Sequence, residues 1–226
     1  MRIIFFLERV MADWIVVLLC CFYIGVEVFV AFILYKFFHL KSEYTRKLIH
    51  ILTSFVIVPV EYYVSSPFWR LICPFIFIFV NIFACLSGLV KDLGMTDGKR
   101  HIGLILYPIS VTGVVALEAL GIIRPEAAIC GVLIMGLGDG SAALVGTAFG
   151  RHSYSVYHKY KKSLEGSFFM AAVSAIIVLF FTTLNVYQAI LVGITVSLVE
   201  NFSPSSVDNV SVPFYAALIV EVLCRV

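Results

Sequence analysis

The residues between Gly138 and Gly166, GDGSAALVGTAFGRHSYSVYHKYKKSLEG, combine groups that seldom occur together without chemistry to perform. Asp139 stands inside an otherwise apolar run, and an acid near the middle of a membrane-depth segment costs about 2.5–3.5 kcal/mol on insertion scales. Gly136, Gly138 and Gly140 surround it, and glycines let a backbone open or let another group approach closely. Downstream comes a basic loop ending in Lys161-Lys162-Ser163-Leu164-Glu165-Gly166. An acid, glycines and adjacent bases are the parts needed to hold a metal–polyphosphate. Mg²⁺ suits the acid, because it takes one or two carboxylates and fills its remaining positions with water or phosphate oxygens. The competing reading is an intramembrane ion pair between Asp139 and His50 or a lysine.

The same segment offers an anion site. Ser163 is a natural N-cap and Glu165 suits a first helical turn, so a helix starts there with free N–H groups. Lys162 beside that start completes a phosphate site, with Lys161 and Gly166 as further contacts.

Three more clusters are rich in polar groups. Arg46, Lys47 and His50 open an apolar segment; Arg46 and His50 are i, i+4 on one helix face. Arg46 and Lys47 can anchor a helix in headgroups, whereas His50 lies a turn deeper, as a phosphate ligand, a proton carrier or a satisfied buried histidine. Lys91 to His101 carries two acids and three Lys/Arg in a glycine-containing loop, read either as a solvated turn or as a phosphate-contacting lid. Glu200, Asp208 and Asn209 flank a Ser/Pro turn; they can cap a helix, bind a second cation or serve as general base on a hydroxyl. Glu27 and Glu118 are isolated in apolar runs and are expected to pair with neighbouring helices, and Glu61 and Arg70 flank a short turn across which they can pair.

The elements that position these groups are helices in lipid. Of the 226 residues 62% are hydrophobic and only 13% charged, and the net charge is +2. Mean hydropathy is +1.04. Soluble domains carry about 25% charged residues, so composition alone predicts an integral membrane protein. The small net charge gives no footing for nucleic acid. Six cysteines sit in apolar stretches without Cys-x-x-Cys spacing, which indicates neither zinc nor a disulfide framework. A span needs about 20 apolar residues, and candidates cover 13–38, 47–63, 67–90, 102–120, 125–148, 166–184, 186–199 and 210–225. The fold class expected is an all-α polytopic helical bundle of about seven to eight spans, a single transmembrane catalytic domain over 1–226. The first residues, MRIIFFLERVMADW, read as an interfacial helix and not a signal peptide. The break NFSPSSVDN is polar enough to line a cavity at membrane depth.

Charge distribution orients the bundle. Lys36, Lys41, Arg46, Lys47, Lys91, Lys99, Arg100, Arg151, Lys159, Lys161 and Lys162 follow or flank one side, against Arg2, Arg9, Arg70, Arg124 and Arg225 on the other. The richer side is expected to be cytoplasmic, and it carries every polar cluster above.

These motifs resemble a known family. Gly138-Asp139-Gly140-Ser141-Ala142, Gly146, Phe149-Gly150 and Lys161-Lys162-Ser163-Leu164-Glu165-Gly166-Ser167 resemble the central motif of the CTP-dependent lipid-alcohol kinases, which include phytol, farnesol and dolichol kinases and the yeast-type diacylglycerol kinase. Arg46-Lys47-x-x-His50 and Glu200…Asp208-Asn209-x-x-x-Pro213 resemble its outer motifs. The resemblance implies transfer of a γ-phosphate from a nucleoside triphosphate, CTP in that family, to a lipid alcohol, with Mg²⁺ and no nucleic acid partner. It implies Asp139, with Asp208 and Glu200, as metal ligands; Asp139, His50, Asp208 and Lys162 as catalytic groups; and Arg46, Lys47, Gly138, Gly140, Lys161, Ser163, Glu165, Gly166 and Asn209 as substrate contacts. Tyr107-Pro108 is similar to a further family element, with Asp97 matched to its acid, while the family's Thr-like position is apolar here. Phosphatidate cytidylyltransferases have a similar central segment but also a C-terminal Gly-His-Gly-Gly signature that this sequence lacks. A transporter with an intramembrane acidic site is the alternative from another class; it would spread polar residues through the full depth.

The orientation is open to a direct check. A cysteine placed at Lys41 or Arg151 should react with an impermeant maleimide only from the cytosol, and one at Arg124 only from the opposite side. Labelling of all three from the same side would refute the assignment.

Overall fold

The structure is a computed structural model and describes residues 2–95, 102–156, 160–204 and 206–226. Asp97, Lys99, Arg100, His101 and Lys159 lie outside these residues. Helices α1 (Arg2–Phe37), α2 (Ser42–Ser54), α3 (Ile57–Tyr63), α4 (Pro67–Leu86), α5 (Leu89–Asp92) and α6 (Ile102–Ala119) come first. Next are α7 (Pro125–Leu133), a π-helical segment Ile134–Asp139 and α8 (Gly140–Phe149). Strands β1 (Ser153–Val156) and β2 (Tyr160–Ser163) follow, then α9 (Leu164–Phe181), α10 (Val186–Phe202) and α11 (Asp208–Arg225). Five stretches are long and apolar enough to cross a membrane: Asp13–Phe37, Pro67–Leu86, Ile102–Ala119, Pro125–Phe149 and Leu164–Phe181; Val186–Phe202 is a shorter apolar helix. This is the expected all-α membrane bundle.

Three local expectations change. The N-terminal residues do not form a separate interfacial helix; they are the first turns of α1, which runs unbroken to Phe37. The second span is two helices, because Pro59 cannot donate to the carbonyl four residues back and its ring crowds it; the chain turns at Phe55–Val56 and restarts as α3. The basic loop after α8 is not irregular but an antiparallel hairpin that pairs Tyr154 with Lys162.

The central element runs from α7 through the π segment into α8. Every residue from Ala127 to Gly136 is buried, and an apolar helix covered on all sides belongs at the centre of a bundle. Small residues set how closely its neighbours approach, as expected where lipid offers no hydrophobic drive between helices. A Cβ on Gly136 would collide with the Ser54 side chain and come within 2.7 Å of the His50 carbonyl on α2; one on Gly193 of α10 would collide with the Ala171 carbonyl of α9.

Prolines inside α6 and α11, as at Pro74 in α4, leave carbonyls without an intrahelical donor, and in lipid each needs another. Pro108 frees the Leu104 carbonyl, which accepts from Asn81 Nδ2 on α4 at 2.8 Å. Pro213 frees the Asn209 carbonyl, which accepts from Ser110 Oγ on α6. Asn209 Nδ2 in turn donates to the Gly103 carbonyl at 3.1 Å, so the start of α11 is pinned to α6 from both ends of one residue. On the opposite side of the bundle, Arg70 pairs with Glu61 at 3.0 Å, as expected, and also with Glu118 at 2.6 Å. Glu27 accepts from Thr53 Oγ1 of α2 at 2.7 Å.

The glycine contacts predict unequal costs. Gly136→Ala and Gly193→Ala should each destabilise the bundle by about 1–3 kcal/mol through overpacking, read as a lowered midpoint of thermal unfolding in detergent. Gly25→Ala, where a Cβ meets nothing within 4 Å, should leave the midpoint unchanged or slightly raised. Equal effects at the three positions would contradict the packing account.

Candidate active site

Four separate stretches of chain converge on one cavity of about 410 Å³: α2, the π segment with α8, the hairpin leading into α9, and the α10–α11 junction. Its volume falls in the usual range for ligand pockets, about 300–1,000 Å³. Arg46, Lys47, His50, Asp139, Lys162, Ser163, Gly166, Glu200, Asp208 and Asn209 all line it. A sequence separation of 163 residues, from Arg46 to Asn209, is thus closed by the bundle.

Asp139 ends the π-helical segment. A π turn inserts an extra residue into an α-helix and re-aims the side chains around it. The surrounding glycines do not unwind the backbone as their number suggested; they stay helical and bring other helices in. A Cβ on Gly140 would come within 2.5 Å of Ile51 on α2, and one on Gly138 would stand 3.0 Å from Met170 Sδ on α9. Gly138 and Gly140 therefore act through packing and do not line the cavity. Gly140, with Gly136, sets α2 against Asp139 while Gly138 admits α9, and Lys47 Nζ donates to Asp139 Oδ2 at 2.5 Å. Both side chains are largely buried.

Lys162 is delivered differently. Hairpin register puts it opposite Tyr154, so both side chains leave the same face of the ribbon. Tyr154 Oη contacts Asn201 Oδ1 at 2.7 Å and Ser167 Oγ at 2.6 Å. Lys162 Nζ reaches the end of α10, where it pairs with the Glu200 carboxylate and donates to the Glu200 carbonyl at 2.5 Å. The α9 start is built as the sequence predicted: Ser163 caps it by accepting from Gly166 N at 3.1 Å. Gly146 and Gly166 keep α8 against this cap, since a Cβ on Gly146 would lie 2.8 Å from Ser163 Oγ. Glu165 is the exception. It turns away from the cavity, to His152 Nδ1 at 2.8 Å. Lys161 lies on β2, but its side chain is outside the described part.

The remaining acids come from the turn between α10 and α11. Asp139, Glu200 and Asp208 each offer a carboxylate oxygen, and these atoms lie within 4.8 Å of one another. At an effective dielectric of about 20, unit charges at that separation repel by roughly 3–4 kcal/mol per pair. Lys47 and Lys162 answer two of the three charges; Asp208 makes no ion pair among the described residues. Three acids against two lysines leave a negative excess among these five groups, which favours a cation. An all-oxygen, all-carboxylate donor set suits a hard divalent ion. Asp139, Glu200 and Asp208 are the residues that would hold such an ion, directly or through a water.

His50 sits at the inner edge of the cavity. Its ring lies 4.5 Å from that of Tyr107, whose hydroxyl donates to the His50 carbonyl at 3.2 Å. Nδ1 of His50 is buried and has no hydrogen-bond partner among the described residues, so the reading of a satisfied buried histidine does not hold there. Tyr154 and Glu43, which also lines the cavity, were not picked out from the sequence, and Tyr107 entered only through the Tyr-Pro element. The alternation of small and large residues in Ser153-Tyr154-Ser155-Val156 is the strand signal that would have exposed Tyr154.

No protein-family model matches the chain, and no solved structure matches it. A curated relative does: a phytol kinase of Synechocystis sp. is 32% identical over 216 residues, spanning 91% of this chain and 90% of the relative. Identity at that level along nearly the whole of both chains goes with the motif resemblance and the multi-pass helical architecture. The chain therefore belongs to the lipid-alcohol kinase family that contains phytol kinase.

Proposed function

We propose that the protein transfers the γ-phosphate of CTP to the hydroxyl of a lipid alcohol at the cytoplasmic face of the membrane, with Mg²⁺ held by Asp139, Glu200 and Asp208. The observation that carries this reading is the meeting of three carboxylates with two lysines in a single cavity. CTP rests on the motif resemblance, and the cytoplasmic face on the excess of Lys and Arg on the side where the cavity opens.

The two ion pairs can be understood as a resting arrangement that a metal–triphosphate splits. Lys47 holds Asp139 and Lys162 holds Glu200. With CTP and its cation bound, the acids would hold the cation and the lysines would face phosphate oxygens, so no buried charge would be left unanswered. Mg²⁺, when bound, would neutralise the charge of the polyphosphate. The start of α9, beside Lys162, adds the positive end of its helix dipole toward the phosphates. Arg46 lines the same wall and adds positive charge there.

The alcohol oxygen then bonds to the γ-phosphorus as the bond to the β–γ bridging oxygen breaks, and CDP leaves. The hydroxyl proton passes to a base, and Asp208 is the candidate when the cation rests on Asp139 and Glu200, because its carboxylate accepts from the Asn209 amide at 2.9 Å and from no lysine among the described residues. Asn209 keeps that acid in place through its two bonds to α6. His50 Nδ1 is positioned to hold the hydroxyl. Phosphoryl transfer depends chiefly on such positioning and charge neutralisation.

Protein reconstituted in bilayers and given labelled CTP, Mg²⁺ and a panel of lipid alcohols should produce a phosphorylated lipid and CDP. Chelation of divalent ions should abolish product, and Asp139→Asn should lower kcat/KM by at least about 10²–10³-fold with helix content retained. Pyrophosphate release with a CDP-lipid product would make the protein a cytidylyltransferase instead.

A further inference from the structure

A second cavity, of about 130 Å³, lies between α1, α2, α3, α4 and α6. Its wall is almost wholly apolar, and among the described residues His50 is the one that lines both it and the polar cavity. From the structure we infer that this groove is the tail site of the alcohol substrate and a ruler of its length, taking a single aliphatic or isoprenoid chain with the hydroxyl at His50. The inference rests on the kinase reading above and adds where the substrate lies and what selects it.

Three observations carry it. First, His50 Nδ1 is a buried polar atom without a partner among the described residues, placed where the two cavities meet. A buried polar atom left unpaired costs about 1–3 kcal/mol, and a hydroxyl arriving from the groove would satisfy it. Second, the groove is narrow: its volume is less than a third of the 410 Å³ of the polar cavity, which admits one chain and not the paired chains of a diacylglycerol. Third, it has a floor. Lining residues on α6 run from Leu104 to Val115, about 16 Å at 1.5 Å per residue, roughly half of the ~30 Å hydrocarbon core. At the far end stands Arg70, fixed to Glu61 and Glu118 at 3.0 and 2.6 Å. An apolar chain end gains nothing by displacing that charged cluster, so alcohols longer than the groove must bend out toward lipid.

Val111 lies one helical turn beyond Tyr107 on the groove wall, and Val56 faces the groove from the α2–α3 turn. Val111→Trp and Val56→Trp should raise KM for long-chain alcohols by about tenfold or more, the penalty of expelling even one methylene from an apolar pocket. KM for short-chain alcohols and for CTP should stay within about twofold of wild type. A chain-length profile unchanged in both variants overturns the proposal, as does an equal loss for short and long alcohols. Crosslinking gives a readout that needs no turnover: an alcohol with a diazirine at its tail should label peptides of α4 and α6 in the wild-type protein. If wild type phosphorylates no alcohol, the kinase reading fails; absence of that label refutes the groove whether or not the kinase reading stands.

Discussion

A carboxylate buried inside a helical bundle in lipid must be answered by positive charge, and that requirement at Asp139 governs much of this structure. The π turn presents the acid, and Gly136 and Gly140 admit α2 closely enough for Lys47 to reach it. Lys162 and Glu200 repeat the arrangement a few ångströms away, with the lysine supplied by a hairpin and the acid by the last turn of α10. Neither pair is at the surface, where ion pairs contribute little. Partly buried pairs are weak evidence for stability and better evidence for a site whose charges have alternative partners.

Backbone bookkeeping explains how the third acid is held. Within lipid every carbonyl needs a donor, and Pro108 and Pro213 each leave one without its usual partner. Side chains from adjacent helices take these places, and at Asn209 the repair also fixes the turn that carries Asp208. The same device that keeps a proline-containing span stable therefore places a catalytic candidate. The family assignment adds the chemistry to which such a site is suited: a kinase acting on a lipid alcohol needs phosphate groups on one side of a boundary and an apolar chain on the other. His50 stands at such a boundary between the two cavities.

Much of the helical layout was legible, because runs of apolar residues with punctuating Gly, Pro and charge leave few alternatives in a membrane. The acid in its apolar run, the cap at Ser163 and the polar break before Asp208 could each be read from local chemistry. Partnership could not. Lys47 and Asp139 are 92 residues apart, and either His50 or a lysine satisfied the charge argument equally well. The glycines were read for two properties, freedom of backbone and absence of a side chain, and here the second is the one used. Glu165 fitted a first helical turn, as it does, but a helix start has an outer face, and Glu165 occupies it beside His152. The hairpin was hidden because its strands are four residues each and lie among lysines.

The claim at the centre of this account is that Asp139 is an ion ligand that the bundle keeps ready with a lysine. Mn²⁺ bound in the presence of CTP, followed by electron paramagnetic resonance on the wild-type protein and on Asp139→Asn, tests it most directly. The account predicts a saturable, protein-bound Mn²⁺ signal in the wild type that Asp139→Asn loses while remaining folded. An unchanged signal in that variant would contradict it.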